Sequence, residues 1–314
     1  MSTVSPSPSP QSHHFADCLI ERLRVLGHPL CVGLDPHLGR IPPLFRRGGM
    51  TPADPESAES ARDFLFAVLD RLPGRVAIVK PQVAFFEQLG WRGMQVLEAV
   101  VARARELDLL VLLDAKRGDI GSTAEGYARS YLEPDSPVPV DAITLNPYMG
   151  LDTLEPFAER AEEYGRGLFV LVKTSNPGSG DVQDREVAGG CVYEAVASSL
   201  GELSSRLEGP ETGWSSLGVV MGATYPEQAE RVRELLPRAV FLVPGYGAQG
   251  GNALDAVRGF TQGPRGLEGG IVNSARAILF PDEGVTSDAA EWERAIDGGI
   301  DGAIAELGEA VTAE

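Results

Sequence analysis

The sequence predicts a protein of the α/β class, folded as a single (β/α)₈ TIM barrel with an N-terminal helix. Short apolar runs alternate eight times with longer stretches of helical periodicity along the 314 residues. The runs are almost purely apolar, as expected for parallel strands that are covered by helices. Eight strand-helix units in a chain of this length favour a closed barrel. A doubly wound open sheet is the alternative, because local patterns do not prove that a sheet closes.

The N-terminal segment differs in composition from the rest of the chain. Residues 1–12 alternate Ser and Pro and cannot bury enough apolar surface to fold, so we expect a disordered tail. No linker rich in Pro, Gly and Ser interrupts the remainder, which predicts one domain over residues 13–314. Glu208–Ser216 and Gly259–Gly269 are interpreted as surface loops.

The predicted elements follow in order. Apolar residues at helical spacing predict a first helix from Phe15 to Leu26, which Gly27 and Pro29 end. The predicted strands are Leu30–Asp35, Val76–Pro81, Leu109–Lys116, Asp141–Pro147, Gly167–Ser175, Leu217–Thr224, Ala239–Gly245 and Gly270–Arg276. The crossover helices are predicted at Ala58–Leu72, Glu87–Leu107, Gly121–Tyr131, Leu151–Tyr164, Glu186–Leu207 and Pro226–Leu236.

Charge and composition exclude several classes of function. The 45 acidic and 27 basic residues give a net charge of −18, which argues against nucleic acid or an anionic membrane as partner. No segment approaches the roughly 18 apolar residues of a membrane span, and no secretory signal is evident. Three scattered cysteines and four histidines favour a cytoplasmic protein with reduced thiols and argue against a histidine metal site.

Polar side chains gather where the predicted strands end, which is the active-site face of a barrel. Asp114 and Lys116 lie two residues apart on one strand, so their side chains face the same way about 6–7 Å apart. With Lys80 from the adjacent strand and Asp119 from the following loop, they predict an alternating array of two ammoniums and two carboxylates. Opposite charges in contact keep each other ionised. A purely structural ion-pair network is the alternative.

A second group of residues has the character of a phosphate site. The segment Pro244–Gly251 follows the seventh strand, and its four glycines let backbone N–H groups approach an anion. Arg276 at the end of the eighth strand offers a planar fork that suits phosphate. Barrels often bind phosphate at this position. The segments Lys173–Gly180 and Gly222–Thr224 are ambiguous when each is taken alone.

Together these motifs resemble the orotidine 5′-phosphate decarboxylase family, most closely its longer bacterial subgroup. The Asp-x-Lys-x-x-Asp motif, followed by Ile120 and Thr123, is shared with sister families. The complete ordered set is specific, and it adds Gly33–Pro36, Lys80–Pro81, Thr174–Gly178, Gly222–Thr224 and Pro244–Gly251. The resemblance extends over most of the chain, from the first predicted helix to the end of the eighth strand.

The resemblance implies a cofactor-independent decarboxylation of orotidine 5′-monophosphate to uridine 5′-monophosphate in de novo pyrimidine biosynthesis, without a metal. It implies that Lys116 donates a proton to C6 of the pyrimidine and that Asp114 lies against the substrate carboxylate. Lys80 would hold the array and touch the ribose. Asp119 would complete the array from the neighbouring subunit of a homodimer, with Thr123 beside it.

The same resemblance implies the residues that bind the rest of the substrate. Asp35 would bind a ribose hydroxyl, and Ser175 would bind the pyrimidine ring. Pro244 belongs to the substrate-binding set, and Gln249 and Arg276 would grip the phosphate.

Three other functions are compatible with parts of the pattern. Keto-gulonate phosphate decarboxylases and hexulose phosphate synthases share the Asp-x-Lys-x-x-Asp motif but resemble metal-dependent enzymes with an acidic residue at the position of Lys80. A Schiff-base aldolase would use Lys80, Lys116 or Lys173 with a depressed pKa. A non-catalytic nucleotide sensor would bind without turnover. We expect Lys173 to be structural, Arg117 to be a surface or subunit contact, and His37 to lie in a solvated loop.

Overall fold

The centre of the molecule is a closed barrel of eight parallel strands. The computed structural model describes residues 14–247, 251–281 and 287–313. The barrel strands are β1 Leu30–Leu34, β2 Ile78–Pro81, β3 Leu110–Arg117, β4 Ala142–Leu145, β5 Gly167–Lys173, β6 Ser215–Met221, β7 Ala239–Val243 and β8 Gly270–Ser274. Each strand pairs with the next, and β8 pairs with β1. The predicted (β/α)₈ barrel is therefore confirmed, and the open sheet is excluded.

Helices surround the barrel and close one end of it. They are α1 Phe15–Leu26, α2 Glu56–Leu69, α3 Ala84–Glu87, α4 Gly90–Glu106, α5 Gly121–Leu132, α6 Glu155–Tyr164, α7 Val192–Ser199, α8 Gly201–Arg206, α9 Pro226–Leu235, α10 Ala253–Ala256, α11 Arg276–Leu279 and α12 Ala289–Thr312. The Ser/Pro tail lies outside the described residues. That tail and the single domain with boundaries at residues 13 and 314 stay predictions.

Helix α1 forms the floor of the barrel. It ends at Gly27, whose φ of 78° suits a glycine and whose N–H donates to the Leu23 carbonyl. Its apolar face packs against the inward-facing side chains of the strands, and Phe15 meets Phe169 edge to face. The lower interior layer takes one residue from each strand: Cys31, Ile78, Leu112, Ala142, Phe169, Val220, Leu242 and Ile271. The layer is apolar, so the lower barrel is a packed core.

Two predicted segments differ from the structure. The helix predicted at Glu186–Leu207 begins only at Val192, because Glu186–Val187 and Gly190–Cys191 form a small antiparallel hairpin and Leu200 separates α7 from α8. The loop predicted at Gly259–Gly269 contains a second hairpin, Thr261–Gly263 with Gly266–Glu268. Both hairpins are only two or three residues per strand, too short to show a period of two.

The structure also differs from the prediction at the end of the other predicted loop and in the C-terminal region. Ser215 and Ser216 are buried and belong to β6, so the loop predicted at Glu208–Ser216 is too long. Helix α12 has 24 residues and was not predicted. Its buried face includes Trp292, Ile296 and Ile300, whose spacing of four residues is the signal that predicts a helix. Among the helices of the described ranges, none is long and apolar enough to cross a membrane.

Arg233 of α9 is a buried cation that joins the outer helices to the barrel. Its guanidinium donates to five backbone carbonyls, those of Leu236, Pro237, Ala239, Gly259 and Gly269. The guanidinium also lies 3.9 Å from the ring centre of Phe241 and 5.1 Å from that of Trp214. One side chain thus donates to all five carbonyls, two of which, those of Leu236 and Gly269, also accept from a backbone N–H. This is a structural arrangement.

Replacing Arg233 with Leu should lower the free energy of unfolding by about 3–5 kcal/mol, because five buried carbonyls would each lose a hydrogen bond. Urea denaturation followed by circular dichroism measures the loss. Arg231→Leu is the matched control on the same helix, since Arg231 is exposed and pairs with the carboxylates of Glu194 and Glu234. Equal effects of the two substitutions would contradict the assigned role of Arg233.

Candidate active site

A cavity of about 310 Å³ opens at the carboxyl ends of the barrel strands. It is the end of the barrel opposite the α1 floor. The lining residues are Asp35, Lys80, Gln82, Asp114, Lys116, Thr174, Ser175, Asn176, Val220, Leu242, Pro244, Gly245, Tyr246, Asn273, Ala275 and Arg276. Seven of the ten residues predicted for the site lie here: Asp35, Lys80, Asp114, Lys116, Ser175, Pro244 and Arg276.

The period of two in a strand explains why polar groups meet at this depth. Side chains two residues beyond the apolar layer point to the same interior one step nearer the mouth. On β2, Lys80 follows Ile78, and on β3, Asp114 follows Leu112. On β8, Asn273 follows Ile271. On these three strands the barrel interior thus changes from apolar to polar within one step, whereas Val220 of β6 and Leu242 of β7 keep part of the cavity wall apolar.

Asp114 connects the charged groups of the cavity. Its Oδ2 accepts a hydrogen bond from Lys80 Nζ at 2.8 Å, and its Oδ1 accepts one from Lys116 Nζ at 2.5 Å. The Thr144 hydroxyl donates to Oδ1 at 3.1 Å. Lys80 and Asp114 are buried, whereas the Lys116 side chain is 44% exposed to the cavity. Lys116 is therefore the most exposed of the three groups that line the cavity.

The charges of this group keep one another ionised. Burial alone would raise the pKa of Asp114, but the Lys80 and Lys116 ammoniums outweigh it and hold that pKa well below its usual range. Burial alone would lower the pKa of Lys80, but the carboxylates of Asp114 and Asp35 outweigh it and raise that pKa. A lysine that remains an ammonium is a hydrogen-bond donor and an acid, and is a poor amine nucleophile.

A distortion of β3 places Lys116. The pairing of β3 with β4 shifts register between Leu113 and Arg117, and Lys116 has a φ of 48°. This left-handed conformation is unfavourable for a residue with a side chain, by roughly 1–2 kcal/mol. The backbone N–H groups of Ala115 and Lys116 both donate to the Thr144 hydroxyl, at 2.9 and 2.8 Å. Thr144 therefore stabilises the distorted backbone and also contacts Asp114.

Asp35 lies at the end of β1 with unsatisfied hydrogen-bonding capacity. Its Oδ1 is buried without a hydrogen-bond partner in the described chain, as is Oδ1 of Asn273 on the adjacent strand. Burial raises the pKa of Asp35, a shift that the nearby Lys80 ammonium only partly opposes. The ionised carboxylate is therefore less stable here than in water.

The part of the cavity wall formed by the segments that follow β7 and β8 is the side predicted to bind phosphate. Pro244, Gly245 and Tyr246 line it with Arg276, which begins α11. The Tyr246 hydroxyl donates to the Glu306 carboxylate of α12 at 2.5 Å, and burial together with this bond raises the pKa of Tyr246. Helix α12 thus holds the back of this wall. Gln249 lies outside the described residues.

The wall after β5 carries Thr174, Ser175 and Asn176. A Cβ on Gly222 would lie 2.7 Å from Ser175 Cα, so the glycine that directly follows β6 allows the segment after β5 to approach closely. Lys173 is fully buried outside the cavity. Its Nζ donates to Asp184 at 2.6 Å and lies 4.2 Å from the centre of the Tyr225 ring. These contacts agree with the structural role expected for Lys173.

Asp119 and Thr123 are not among the residues that line the cavity of their own chain. Asp119 accepts a hydrogen bond from the Ile120 N–H, and Thr123 is exposed at the start of α5. His37 does not lie in a solvated loop as predicted, because its ring packs against Phe85 with a centroid distance of 4.3 Å.

Arg117 is partly buried. Its guanidinium donates to Glu87 and lies over the Tyr127 ring. This contact within the chain was not predicted.

Comparisons with a family model, with related sequences and with solved structures all indicate the same family. Residues 28–287 match the family model described as orotidine 5′-phosphate decarboxylase / HUMPS family. An orotidine 5′-phosphate decarboxylase from Rhodopirellula baltica is 43% identical over 90% of this chain and 95% of its own length. The structure of Leishmania donovani OMP decarboxylase covers 93% of this chain and 98% of its own, at 32% identity and a TM-score of 0.66. A crystal structure from Streptomyces avermitilis, provisionally assigned to the same enzyme, covers 97% of this chain and 99% of its own at 35% identity and a TM-score of 0.78.

The chain belongs to the orotidine 5′-phosphate decarboxylase / HUMPS family. The resemblance predicted from the motifs is therefore confirmed. The described residues of this family member contain no cluster of three or more His, Cys, Asp or Glu side chains that could hold a metal ion.

Several lining residues were not singled out as ligand contacts from the sequence. Asn273, Gln82 and Tyr246 line the cavity, and Thr144 supports it from β4. Gln82 and Asn273 each lie two residues from a predicted or observed inward-facing position, so strand alternation would have found them. Thr144 gives no such signal, because an inward-facing threonine in an apolar strand is an ordinary core residue.

Asp35→Asn should raise the melting temperature of the ligand-free protein at neutral pH while weakening ligand binding. Because the folded-state pKa of Asp35 is raised, protonation of Asp35 favours folding, and this contribution is lost as pH rises through the folded pKa. Asn imitates the protonated form, so its advantage should shrink as pH falls toward the ordinary carboxyl pKa of about 3.9.

Thermal melts from neutral to acidic pH measure this difference. Glu98→Gln, at an exposed site on α4, is the control and should leave the pH dependence unchanged. A constant difference between Asp35→Asn and the natural protein at every pH would count against an energetically unfavourable Asp35 carboxylate.

Proposed function

We propose that this protein decarboxylates orotidine 5′-monophosphate to uridine 5′-monophosphate in pyrimidine biosynthesis, using charges of the protein and no cofactor. Its membership in the family and the 43% identical decarboxylase support the reaction. The observation that carries the proposal in this chain is Asp114 held between Lys80 and Lys116 at the barrel mouth. We place the enzyme in the cytoplasm, where its three free cysteines would stay reduced.

The reaction breaks the bond between C6 of the pyrimidine and its carboxylate. Carbon dioxide leaves and the electron pair stays on C6, in the plane of the ring, where no adjacent group withdraws it. In the proposed mechanism the Lys116 ammonium stabilises this developing charge and then gives C6 its proton. Solvent returns a proton to the lysine. The raised pKa of Lys80 means that it stays charged and keeps Asp114 ionised beside the reaction centre.

The rest of the substrate fits the other walls of the cavity. In this proposal Arg276 and the segment after β7, including Pro244 and Gln249, hold the phosphate. Ser175 contacts the pyrimidine ring from the β5 wall, and Asp35 accepts a hydrogen bond from a ribose hydroxyl. Phosphate binding at a distance from the reacting carbon can drive ordering of the site.

The rival functions are weaker for physical reasons. A metal-dependent sugar-phosphate enzyme would have an acidic residue at the position of Lys80, but in this chain Lys80 forms an ion pair with Asp114. A Schiff-base aldolase needs a neutral amine, whereas Asp114 stabilises the ammonium form of Lys80 and is hydrogen-bonded to Lys116 as well. A protein that only binds a nucleotide would not need Lys116 in a strained backbone conformation beside a buried carboxylate.

A homodimer is part of the proposal. Ile120, Tyr148, Met149 and Leu151 are apolar side chains exposed by 62%, 86%, 47% and 44% on the neighbouring loops after β3 and β4. These loops touch, since the Asn146 N–H donates to the Arg117 carbonyl. An apolar patch of this kind is typical of a subunit interface. Asp119 lies on the same loop as Ile120, and Thr123 lies at the start of α5 just after it. In this proposal both reach the cavity of the partner subunit.

Purified protein mixed with orotidine 5′-monophosphate in excess EDTA should lose the orotate absorbance and form uridine 5′-monophosphate. Lys116→Ala should lower kcat by at least about a thousandfold, because it removes both the electrostatic stabilisation and the acid. Circular dichroism should show that this variant stays folded.

Glu98→Gln is the control for this assay and should keep full activity. Turnover that requires added magnesium, or that occurs only with a keto-sugar phosphate, would move the protein to the sister functions. Unchanged turnover in Lys116→Ala would exclude Lys116 as the proton donor.

Co-expression of Lys116→Ala with Asp119→Ala should restore activity if Asp119 acts across the interface. The mixed dimer would contain one site with Lys116 from one chain and Asp119 from the other, so random pairing gives about a quarter of the natural activity. Steady-state assays on the co-purified chains measure the recovery.

Lys116→Ala paired with Asp114→Ala is the matched control. No mixed dimer of that pair has a complete site, so activity should stay absent. Absence of recovery in isolated mixed dimers of the first pair would show that Asp119 does not act in the partner's site.

A further inference from the structure

Tyr246 connects the phosphate side of the cavity to the outer helix α12. Its side chain is buried in the apolar cluster between the strands and the surrounding helices, and its hydroxyl donates to the Glu306 carboxylate at 2.5 Å. The two residues are 60 positions apart in the chain, so the bond joins elements that no local pattern relates. Burial and this bond raise the pKa of Tyr246, so the hydroxyl keeps its proton and remains a donor.

The backbone on either side of Tyr246 is glycine. Gly245 and Gly247 have φ values of 95° and 70°, in the left-handed region that a residue with a side chain rarely adopts. Tyr246 pairs with Gly251 in an isolated bridge, and the Gly247 N–H donates to the Gly251 carbonyl at 2.9 Å. From Gly245 to Gly247, Tyr246 therefore has the only side chain that can fix the position of this backbone.

Helix α12 is held firmly against the rest of the molecule, so Glu306 is a fixed point of attachment. The inner face of the helix is fully buried at Ile300 and Leu307. On another face, the Asp297 carboxylate accepts a hydrogen bond from the Arg75 guanidinium at 2.6 Å. A movement of Tyr246 relative to this helix would break its bond to Glu306.

The wall that contains Tyr246 is the one to which the proposed function assigns the phosphate. Pro244, Gly245 and Tyr246 line it together with Arg276. Glu306 is exposed and is not among the residues that line the cavity, so it affects a ligand there only through Tyr246. A wall that is already in place when the ligand arrives binds it more tightly than one that binding has to order.

We propose that Glu306 is a positioning residue for the phosphate of the substrate and acts through the Tyr246 hydroxyl. The inference rests on the proposed function. While the bond is intact, the wall after β7 is held where the phosphate requires it. Without the bond, the neighbouring glycines let the wall move, and part of the phosphate binding energy is used to order it again. That energy is then no longer available to align the base at the reaction centre.

The dependence on phosphate separates this role from a purely structural one. Orotidine has the same base and ribose as orotidine 5′-monophosphate but has no phosphate. It cannot gain binding energy from the wall after β7, whether or not that wall is held in place. Loss of the Glu306 carboxylate should therefore slow the phosphorylated substrate and leave orotidine nearly unaffected.

The test compares kcat/KM for the two substrates in the natural enzyme and in Glu306→Ala. Orotidine is followed with enzyme in excess over substrate, so that slow conversion is still measured. For orotidine 5′-monophosphate, kcat/KM should fall by about tenfold, the value of one hydrogen bond to a charged group. For orotidine it should stay nearly unchanged. Glu306→Gln keeps an acceptor oxygen and should recover most of the loss.

Glu309→Ala is the matched control, because Glu309 is exposed about one turn further along α12 and should leave both values unchanged. Tyr246→Phe is the second variant, since it keeps the ring and removes the hydroxyl. It should show the same phosphate-specific loss. Combined with Glu306→Ala it should lose little more than either single variant, because both substitutions break the same bond.

An equal loss on both substrates would mean that Glu306 supports the fold in general, and an unchanged kcat/KM for orotidine 5′-monophosphate would also overturn the proposal. Failure of the natural enzyme to convert orotidine 5′-monophosphate would contradict the proposed function. Conversion with no phosphate-specific loss in Glu306→Ala and Tyr246→Phe would contradict this inference alone.

Discussion

The site depends on the Asp114 carboxylate, which allows Lys80 to stay charged inside the barrel and holds the Lys116 ammonium beside it. An isolated charge at this depth would be unfavourable by several kcal/mol, so each member of the group is tolerated because the others are present. Lys80 is buried with its ammonium on Oδ2 of Asp114, and Lys116 approaches Oδ1 from the cavity. Thr144 donates to the same oxygen. The result is a fixed positive charge at the barrel mouth that needs no reorganisation when a substrate binds.

The barrel isolates this group from the rest of the core. Its lower layer is apolar and closed by α1, while the next layer toward the mouth carries Lys80, Asp114 and Asn273. Water can therefore reach the charges only from the mouth. The apolar floor keeps the local dielectric low on one side, which strengthens the attraction between Asp114 and its two ammoniums. The same alternation of the strands that fills the core also orients the polar groups.

Two kinds of buried polar group occur in this molecule, and they differ in how completely their bonds are satisfied. The Arg233 guanidinium donates hydrogen bonds to five backbone carbonyls, so its role is structural. Asp35 and Asn273 keep unpaired oxygens, and Lys116 keeps an unfavourable φ of 48°. At the cavity, unsatisfied groups and backbone strain of this kind are available to a ligand. Burial alone would not have separated these two cases.

The sequence by itself determined the eight alternating strand-helix units and the strand ends that carry the site. Apolar runs with polar ends are a local signal, and the ordered motifs around Asp114 and Arg276 identified the family before any coordinates. Tertiary structure alone decided that β8 pairs with β1, that Thr144 supports the bend at Lys116, and that Glu306 of α12 holds Tyr246. It also decided that Asp119 lies away from the cavity of its own chain. These contacts join residues that are far apart in the chain or follow a register shift, so the period of one strand contains no information about them.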